Sequence, residues 1–408
     1  MSLLLGACGG TSTPSGPGPG PSPSPTTAPA KLELIEIAES ETHACGITAD
    51  GRAFCWGSND DGQLGTGTTI AQTTAAPAEV VRDALEAGTS FEAIVTGVSF
   101  TCGLAGAKAY CWGKNDLGQS GSTDAGSNKP AAIAGNEHFQ SLAAGYGHAC
   151  GVSDQNEIWC WGRNEAGQLG RGAVSPFERA PQKIDVALLE TGGVSGVATF
   201  VQVTAGEVHT CGLTSDGRPF CWGSDAAGQL GVSAGDDSIA RPKDPVDSTG
   251  LDRGDTFVEL AAGGRHTCGL TEAGAAYCWG DNASGQLGID SVEPSAQQPN
   301  RIRIGDAKFF AQLTAGGAHT CGLTTASVAF CWGSNSGGQL GNGTKVGSTR
   351  TPGEVLKSKM VAGDVFVRLV AAVGGDYGCG LTAKGHTFCW GSAPGLTRLE
   401  PTPVFLKP

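Results

Sequence analysis

The sequence has little of what membrane-spanning and nucleic-acid-binding proteins need. No stretch approaches the roughly 20 consecutive apolar residues that cross a bilayer as a helix. Lys and Arg total 26 against 39 Asp and Glu, which gives a net charge of −13 at pH 7. Such a chain has no surplus of cations to displace the counterions of a nucleic acid or to attract anionic lipid. The composition therefore argues against both of these partners.

Amphipathic helices are also missing, whereas glycine is abundant. No window of eleven residues sustains a helical apolar stripe with capping residues. The 66 Gly are about twice the usual share, which favours many tight turns and close backbone approaches. Segments such as Phe257–Ala262 alternate with a period of two, as half-buried strands do. The sequence therefore predicts an all-β fold.

The 15 cysteines are too many for a reducing compartment unless a metal holds them. Fourteen of them form seven pairs, separated by ten residues in six pairs and by nine in one. The pairs are Cys45 with Cys55, Cys102 with Cys111, Cys150 with Cys160, Cys211 with Cys221, Cys268 with Cys278, Cys321 with Cys331, and Cys379 with Cys389. Such regular spacing indicates an internal repeat with seven units.

Each cysteine pair is predicted to lie in a β-hairpin. Asp50-Gly51 and Asp216-Gly217 stand between the cysteines of their units and are typical turn residues. A separation of ten places the cysteines symmetrically about a three-residue loop. The separation of nine suits a two-residue turn at Gly106-Ala107, so the cysteines stay opposite each other. This compensation predicts a cross-strand disulfide in every unit.

A metal is the alternative explanation of the cysteines. A histidine precedes the first cysteine by two residues in five units, at His43, His148, His209, His266 and His319. Structural zinc sites, however, prefer Cys-x2–4-Cys pairs and four ligands per site. Phe100 and Tyr377 replace the histidine in the other two units. We therefore expect no metal and no cofactor, and we expect the histidines to pack and to form hydrogen bonds.

Catalytic motifs are not found. The sequence has no Gly-x-Ser-x-Gly elbow, His-Glu-x-x-His helix, Walker loop or Cys-x-x-Cys-His haem site. The acidic pairs Asp60-Asp61 and Asp236-Asp237 lack the ligand alternation of a calcium-binding loop and are interpreted as solvated turns. We predict no catalytic residues and no enzyme. The variable loops are expected to bind a partner, but the sequence assigns no binding residue.

The amino-terminal segment suggests an anchor and a tether. Residues 1–8 end in Leu5-Gly6-Ala7-Cys8 and resemble a truncated bacterial lipoprotein signal, with Cys8 as the lipidated residue. Residues 9–30 form a linker rich in Pro, Gly and Ser that is predicted to be disordered. Residues 31–408 carry the repeats. We expect an outer-membrane lipoprotein or a periplasmic protein of the bacterial cell envelope, with secretion or a stray free cysteine as alternatives.

The units resemble the repeat of the regulator of chromosome condensation family. The resemblance rests on His-x-Cys-Gly-Leu, aromatic-Cys-Trp-Gly, Asn-x-x-Gly-Gln-Leu-Gly and a later Pro, over about residues 32–405. It implies a seven-bladed β-propeller with four-stranded antiparallel blades. Repeats and blades are offset in that family. We therefore expect the carboxy-terminal strand at Pro401–Val404 to pair into the first blade and close the ring.

The resemblance leaves the function open. The founding eukaryotic member catalyses nucleotide exchange on a small nuclear GTPase, which an exported, disulfide-bonded protein would not meet. We expect a monomeric, non-enzymatic scaffold that binds a protein of unknown identity and meets a membrane only through its lipid. One alternative is a carbohydrate-binding adhesin, although repeated exposed aromatic residues are not seen. Another is an inhibitor of an extracellular enzyme, since a secreted bacterial β-lactamase inhibitor has the same fold.

Overall fold

Seven four-stranded antiparallel sheets make up the protein. The computed structural model describes residues 33–70, 77–186, 189, 199–232, 238–242, 245–252, 254–305, 309–393 and 396–404. Over these residues the prediction of a seven-bladed β-propeller with four strands in each blade is confirmed. No helix in this part of the chain is long and apolar enough to cross a membrane. Cys8 and the predicted linker at 9–30 lie outside the described residues.

Within a blade, the strands follow one another from the central channel outward. Blade 1 contains β1 (Glu36–Glu39), β2 (His43–Ile47), β3 (Ala53–Gly57) and β4 (Ala78–Glu79). Blade 2 contains β5 (Phe91–Thr96), β6 (Phe100–Ala105), β7 (Lys108–Lys114) and β8 (Gly126–Ala132). Blade 3 contains β9 (Phe139–Ala144), β10 (His148–Ser153), β11 (Ile158–Arg163) and β12 (Phe177–Lys183). Blade 4 contains β13 (Phe200–Ala205), β14 (His209–Thr214), β15 (Pro219–Ser224) and β16 (Ser238–Ile239).

The remaining three blades have the same order. Blade 5 contains β17 (Phe257–Ala262), β18 (His266–Thr271), β19 (Ala276–Asp281) and β20 (Ser295–Arg301). Blade 6 contains β21 (Phe310–Ala315), β22 (His319–Thr324), β23 (Ala329–Gly333) and β24 (Thr349–Glu354). Blade 7 contains β25 (Phe366–Ala371), β26 (Asp376–Thr382), β27 (Thr387–Ala393) and β28 (Leu396–Pro403). All innermost strands run in one direction. We call the face where they begin the start face and the opposite face the end face.

Aromatic side chains fill the space between blades. The phenylalanine that begins an innermost strand lies beside the tryptophan of the third strand, as Phe257 does with Trp279 at 5.9 Å between ring centroids. The same contact recurs in blade 6, where Phe310 and Trp332 are 5.9 Å apart. Both tryptophans are fully buried. Burial of this much aromatic surface is the main stabilisation of a sheet that has no helix to cover it.

The Gly-Gln-Leu-Gly turn brings each blade close to the next. Gly288 has a φ of +69°, and a Cβ atom at this position would lie 2.6 Å from Trp332 Nε1 of the following blade. Only glycine allows both this backbone conformation and this approach. Trp332 Nε1 donates a hydrogen bond of 2.9 Å to Gln286 O in the same turn. The turn therefore acts as the joint between neighbouring blades.

The prediction that the carboxy-terminal strand pairs into the first blade is wrong. Strand β28 pairs with β27, so it completes blade 7, and blade 1 already has its own outer strand, β4. Pairing with the preceding strand through a tight hairpin closes a much shorter loop than pairing across the ring, and so costs less chain entropy. Contacts close the ring instead: Leu34 N donates to Gly385 O at 3.0 Å, and Leu34 packs in one cluster with Val404.

Candidate functional site

The paired cysteines all lie on the two central strands of their blades. In each blade the two cysteines occupy directly opposed positions of the ladder, for example Cys268 and Cys278 in blade 5. Their Cα atoms are 4.1 Å apart, as in a non-hydrogen-bonded antiparallel pair. Each blade is thus cross-linked internally, and no disulfide joins one blade to another in the described part of the chain.

The structure contains seven disulfides, and they join the cysteines that the sequence spacing pairs. In blade 2, where the separation is nine residues, the two Cα atoms are still 4.1 Å apart. The shorter turn therefore leaves the bridge geometry unchanged. In blade order, the bridges are Cys45 with Cys55, Cys102 with Cys111, Cys150 with Cys160, Cys211 with Cys221, Cys268 with Cys278, Cys321 with Cys331, and Cys379 with Cys389.

Four of the five repeat histidines form hydrogen bonds between blades, as the sequence predicts. His209 Nε2 lies 2.9 Å from Thr267 Oγ1 of the next blade, and this hydroxyl donates to Gln229 O at 2.9 Å. Because the threonine hydrogen goes to the carbonyl oxygen, the histidine must donate from Nε2. Trp279 Nε1 donates to the same carbonyl oxygen at 3.0 Å. Threonine and tryptophan therefore donate to one carbonyl group at the joint, and the histidine is linked to that group through the threonine hydroxyl.

The histidine and the threonine occur together from blade to blade. The pairs are His43 with Thr101, His148 with Thr210, His209 with Thr267, and His266 with Thr320. Where Phe100 and Tyr377 replace the histidine, the threonine position of the next blade is an alanine, Ala149 or Ala44. His319 is the exception, because Gly378 occupies the threonine position. Within the described residues, both ring nitrogens of His319 lack a hydrogen-bond partner.

Burial keeps these histidines neutral. It lowers the pKa of His43, His148, His209 and His266 to about 3 and that of His319 to about 4. The ordinary histidine pKa is 6.5. A neutral ring that donates from Nε2 serves the joint between blades and is not exposed for acid–base catalysis. The structural role that we expected for the histidines fits this environment.

One group of potential metal ligands occurs among the described residues, at the contact between blades 7 and 1. Glu39 is buried there, with its Oε1 3.9 Å from Cys389 Sγ and close to Cys379. The two sulfurs are bonded to each other and cannot ligate as thiolates. Burial raises the pKa of the Glu39 carboxyl well above its usual range, which favours the protonated form. The group therefore does not offer the ligand set of a metal site.

A buried acid–histidine pair lies on the start face of blade 7. Asp364 Oδ2 is 2.8 Å from His386 Nδ1, and Asp364 Oδ1 is 3.4 Å from Lys384 Nζ. Such a pair orients the imidazole in hydrolases, where its other nitrogen contacts a nucleophile. In the described part of the chain no hydroxyl or thiol hydrogen-bonds His386 Nε2. The pair therefore holds the loop before β25 against the hairpin of blade 7.

The central channel brings together charged residues that the sequence interpretation did not single out. The channel has a volume of about 380 Å³ and is lined by the seven innermost strands. Each innermost segment begins with a buried side chain, and the position two residues later forms a ring around the channel. This ring consists of Glu36, Ala93, Ser141, Gln202, Glu259, Gln312 and Arg368, and all of them except Glu259 line the cavity itself. Alignment of the seven units at this position would have revealed two acids and one base among neutral residues.

The side chains of this ring bind the backbone of the neighbouring innermost strand. Gln202 accepts from Leu260 N at 2.9 Å and donates to Leu260 O at 3.0 Å. Glu36 Oε1 accepts from Ile94 N at 3.4 Å. An amide at this position therefore completes two hydrogen bonds across the channel wall, whereas a carboxylate can only accept.

The two carboxyl groups at this ring position are poorly solvated. Burial raises the pKa of Glu259 to about 7 and also raises the pKa of Glu36. The cation Arg368 opposes both shifts, with its Nη2 4.0 Å from Glu36 Oε1. At this ring position, one guanidinium therefore acts on two carboxyl groups whose burial favours the neutral form.

At the end face the channel is narrowed by the turns that follow the innermost strands. The side chain of Tyr146 in blade 3 reaches across the channel to blade 7. A Cβ atom at Gly374 of blade 7 would lie 3.2 Å from Tyr146 Cδ2. Tyr146 N also donates to Gly206 O at 3.2 Å, and Val98 N donates to Tyr146 O at 3.4 Å. A ligand of the channel would therefore enter from the start face.

Sequence comparisons identify the family. The RCC1-like domain family matches residues 5–361 of the chain. The ultraviolet-B receptor UVR8 of Arabidopsis thaliana is 30% identical over 319 residues, which are 77% of this chain and 68% of the receptor. The human E3 ubiquitin-protein ligase HERC2 is 28% identical over 306 residues, which are 73% of this chain but only 6% of the ligase.

Solved structures agree with this assignment at the level of the fold. Prp20p of Saccharomyces cerevisiae superposes with a TM-score of 0.72 at 20% identity, over 83% of this chain and 80% of Prp20p. That protein is described together with its binding to Gsp1p and histones. The repeated joints, the seven blades and the matched residues lead to one conclusion. The chain belongs to the RCC1-like domain family and has the seven-bladed β-propeller fold.

Proposed function

We propose that this protein is a non-enzymatic scaffold that binds another protein, displayed on the bacterial cell envelope through a lipid on Cys8. The observation that carries the proposal is the buried disulfide within each of the seven blades. Disulfides persist in oxidising compartments, and cross-linked blades form a rigid support for loops that bind. UVR8 is a receptor by name, and Prp20p binds Gsp1p and histones, which supports protein binding as the common use of the fold.

The carbohydrate-binding alternative has less support. A lectin with one site per blade would present aromatic side chains at equivalent positions of several blades. Among the described residues, the exposed large aromatic side chains are Tyr146 on the end face and Phe309 on the start face. They occupy different positions in their units and do not form a repeated platform.

Binding to envelope proteins tests the proposal directly. The purified full chain, immobilised in its oxidised form, is incubated with envelope extract and, in parallel, with a glycan array. We expect saturable retention of a protein that is lost when the extract is digested with protease beforehand. Retention of a glycan alone would establish the adhesin instead, and retention of neither would reject the scaffold.

The compartment is tested separately by counting free thiols in the denatured, unreduced protein. We expect one free thiol or none, because fourteen cysteines are paired and only Cys8 remains. Mass spectrometry of the membrane fraction should find a diacyl or triacyl group on Cys8. Many free thiols would reject an exported protein, and an unmodified Cys8 would reject the anchor.

A further inference from the structure

The start face carries exposed apolar side chains around the mouth of the channel. Each innermost segment begins with a buried side chain, which is Leu34 in blade 1 and a phenylalanine in the other blades. The exposed apolar side chains occupy the next position in five blades that are consecutive around the ring, from blade 4 through blade 7 to blade 1. We call this set, with its two outer neighbours Phe309 and Val365, the apolar crescent. Its inner members are Val201, Val258, Ala311, Val367 and Ile35. The large members are between 45% and 59% exposed.

A β-bulge explains why these side chains point to solvent. In blade 4, Phe200 pairs with Thr214 and Gln202 pairs with Leu213, so Val201 has no partner in the ladder. The same register shift occurs at Val258 and Val367. A bulged residue leaves the ladder and turns its side chain away from it.

The fold does not require apolar residues at this position. Blades 2 and 3 have Glu92 and Gln140 there, in the same bulge, and both are exposed. Apolar residues in five neighbouring blades therefore serve something other than folding. Contiguous exposed apolar surface around a cavity mouth is typical of a protein-binding site.

The charge of the channel mouth specifies the partner further. Glu36 lines the channel immediately inside the crescent, 4.0 Å from Arg368, and Glu259 occupies the equivalent position of blade 5, where the charge of Arg368 also acts on it. Desolvation favours the neutral form of both carboxyl groups, and a second cation that enters the channel would favour their ionised form and pair with it. Glu92 adds a further negative charge at the rim. The mouth is therefore complementary to a basic group surrounded by apolar surface.

We propose that the apolar crescent, together with Glu36 and Glu259, is the docking site for a protein partner that inserts one Lys or Arg side chain into the channel. The contact surface of that partner is apolar around the basic side chain. This inference rests on the proposed function, because it assigns a surface and a partner chemistry to the scaffold.

The test uses the oxidised full chain as bait for a phage-displayed library of random peptides. Enriched peptides are sequenced, and a synthetic consensus peptide is titrated by fluorescence anisotropy. We expect the consensus to contain one Lys or Arg flanked by apolar residues. Replacement of that basic residue by norleucine should weaken binding by about tenfold or more.

Variants of the protein locate the site. Val258→Glu and Val367→Glu copy the residue that blade 2 carries at this position, and each should weaken peptide binding by about tenfold or more. Glu259→Gln and Glu36→Gln keep a hydrogen-bond acceptor, as Gln202 and Gln312 do, and should weaken the basic peptide selectively. Arg368→Gln should tighten its binding, because a competing cation is removed.

Matched controls lie on the end face. Val174 and Val292 are exposed in loops there, so Val174→Glu and Val292→Glu add the same charge away from the crescent. We expect peptide affinity to be unchanged in both. Unchanged melting temperatures of all variants show that a loss of binding is not a loss of fold.

Several results would overturn the inference. The inference is wrong if the Val258→Glu variant binds every enriched peptide as tightly as the unchanged chain does. It is also wrong if the consensus peptide contains no basic residue, or if the end-face controls weaken peptide binding as much as the crescent variants do. Binding of phosphatidylcholine or phosphatidylglycerol vesicles that Val258→Glu abolishes would assign the crescent to lipid instead. If an envelope protein binds the crescent variants as well as the unchanged chain, the scaffold stands and this docking site is wrong. If no envelope protein binds, the scaffold itself is wrong.

Discussion

At the scale of single residues, the joint between blades is specified by a pair of positions. A histidine is accompanied by a threonine in the next blade in four joints, and neither residue is present in two others. The physical reason is that a buried imidazole N–H without an acceptor costs the desolvation of that group. Only the joint between His319 and Gly378 breaks this rule, which makes it a point where the protein can be improved.

Gly378→Thr should stabilise the protein by about 1 kcal/mol, because the new hydroxyl accepts from His319 Nε2 and donates to Gln339 O. The site has room, since a Cβ atom would lie 3.4 Å from both Trp390 Nε1 and Val370 O. Chemical denaturation measures the change in the free energy of unfolding. Ala149→Thr is the control, because it faces Phe100 and gains no histidine partner. A Gly378→Thr variant less stable than the unchanged chain would contradict the assignment.

The buried histidines should make stability fall in acid. Their pKa is about 3 to 4 in the folded protein against 6.5 for an ordinary histidine. Below pH 6.5 the unfolded chain therefore binds more protons, and each histidine removes up to about 1.4 kcal/mol of stability per pH unit. Four carboxyl groups with raised pKa values, Glu36, Glu39, Glu41 and Glu259, act in the opposite direction above pH 4.5, but they are four groups against five.

The double variant His148→Phe and Thr210→Ala tests whether the buried histidines cause the loss of stability in acid. It copies the natural pair Phe100 and Ala149 of another joint. We expect its free energy of unfolding to depend less steeply on pH between 6 and 4, by up to about 1.4 kcal/mol per pH unit. Denaturation curves at several pH values measure the slope. An unchanged slope would show that the acid sensitivity arises elsewhere.

At the scale of elements, the cysteine hairpin is set by the length of its turn. In blade 2, Gly106 and Ala107 have φ values of +58° and +63°, as a two-residue type I′ turn requires. In blade 1, Thr48 pairs through its backbone with Arg52 around a three-residue loop that ends at Gly51, with a φ of +73°. Both turns agree with the sequence prediction. The cysteines stay opposed because the loop, and not the strand, absorbs the missing residue.

Removal of one disulfide should cost about 2–3 kcal/mol, as expected for the short loop that it closes. The double variant Cys268→Ala and Cys278→Ala removes the bond of blade 5 without leaving a free thiol. Guanidinium denaturation measures the loss, and the equivalent change at Cys321 and Cys331 should give a similar value. A loss well below 1 kcal/mol in both would show that the hairpins are already fixed in the unfolded chain.

At the scale of the whole molecule, the ring closes by packing and not by exchange of a strand. Strand β28 belongs to blade 7. The contact between blades 7 and 1 consists of the apolar cluster around Leu34, Ile37 and Val404 and of a parallel β-bridge between Ser40 and Val373. Tyr377 and Glu39 are buried at this contact, and their proximity raises the pKa of the Tyr377 phenol further than burial alone. The closing contact is thus chemically different from the joints between the other blades.

Deletion of residues 396–408 distinguishes the two modes of closure. Because β28 pairs only with β27, we expect the β27 amides that face β28, such as Cys389, to lose protection from hydrogen exchange. Cys55 should keep its protection, because its amide faces β4. Loss of protection in β3 instead would indicate that the last strand belongs to blade 1.

The sequence alone determined the repeat, the strands, the disulfide pairing and the blade number, because these depend on local spacing and on alternation that every unit repeats. Tertiary structure decided which residues of different units meet. Three features depend on how the propeller closes. They are the blade to which the last strand belongs, the proximity of Glu36 and Glu259 to Arg368, and the apolar crescent. Closure places equivalent positions of seven distant segments around one axis, and a linear pattern of residues does not contain that proximity.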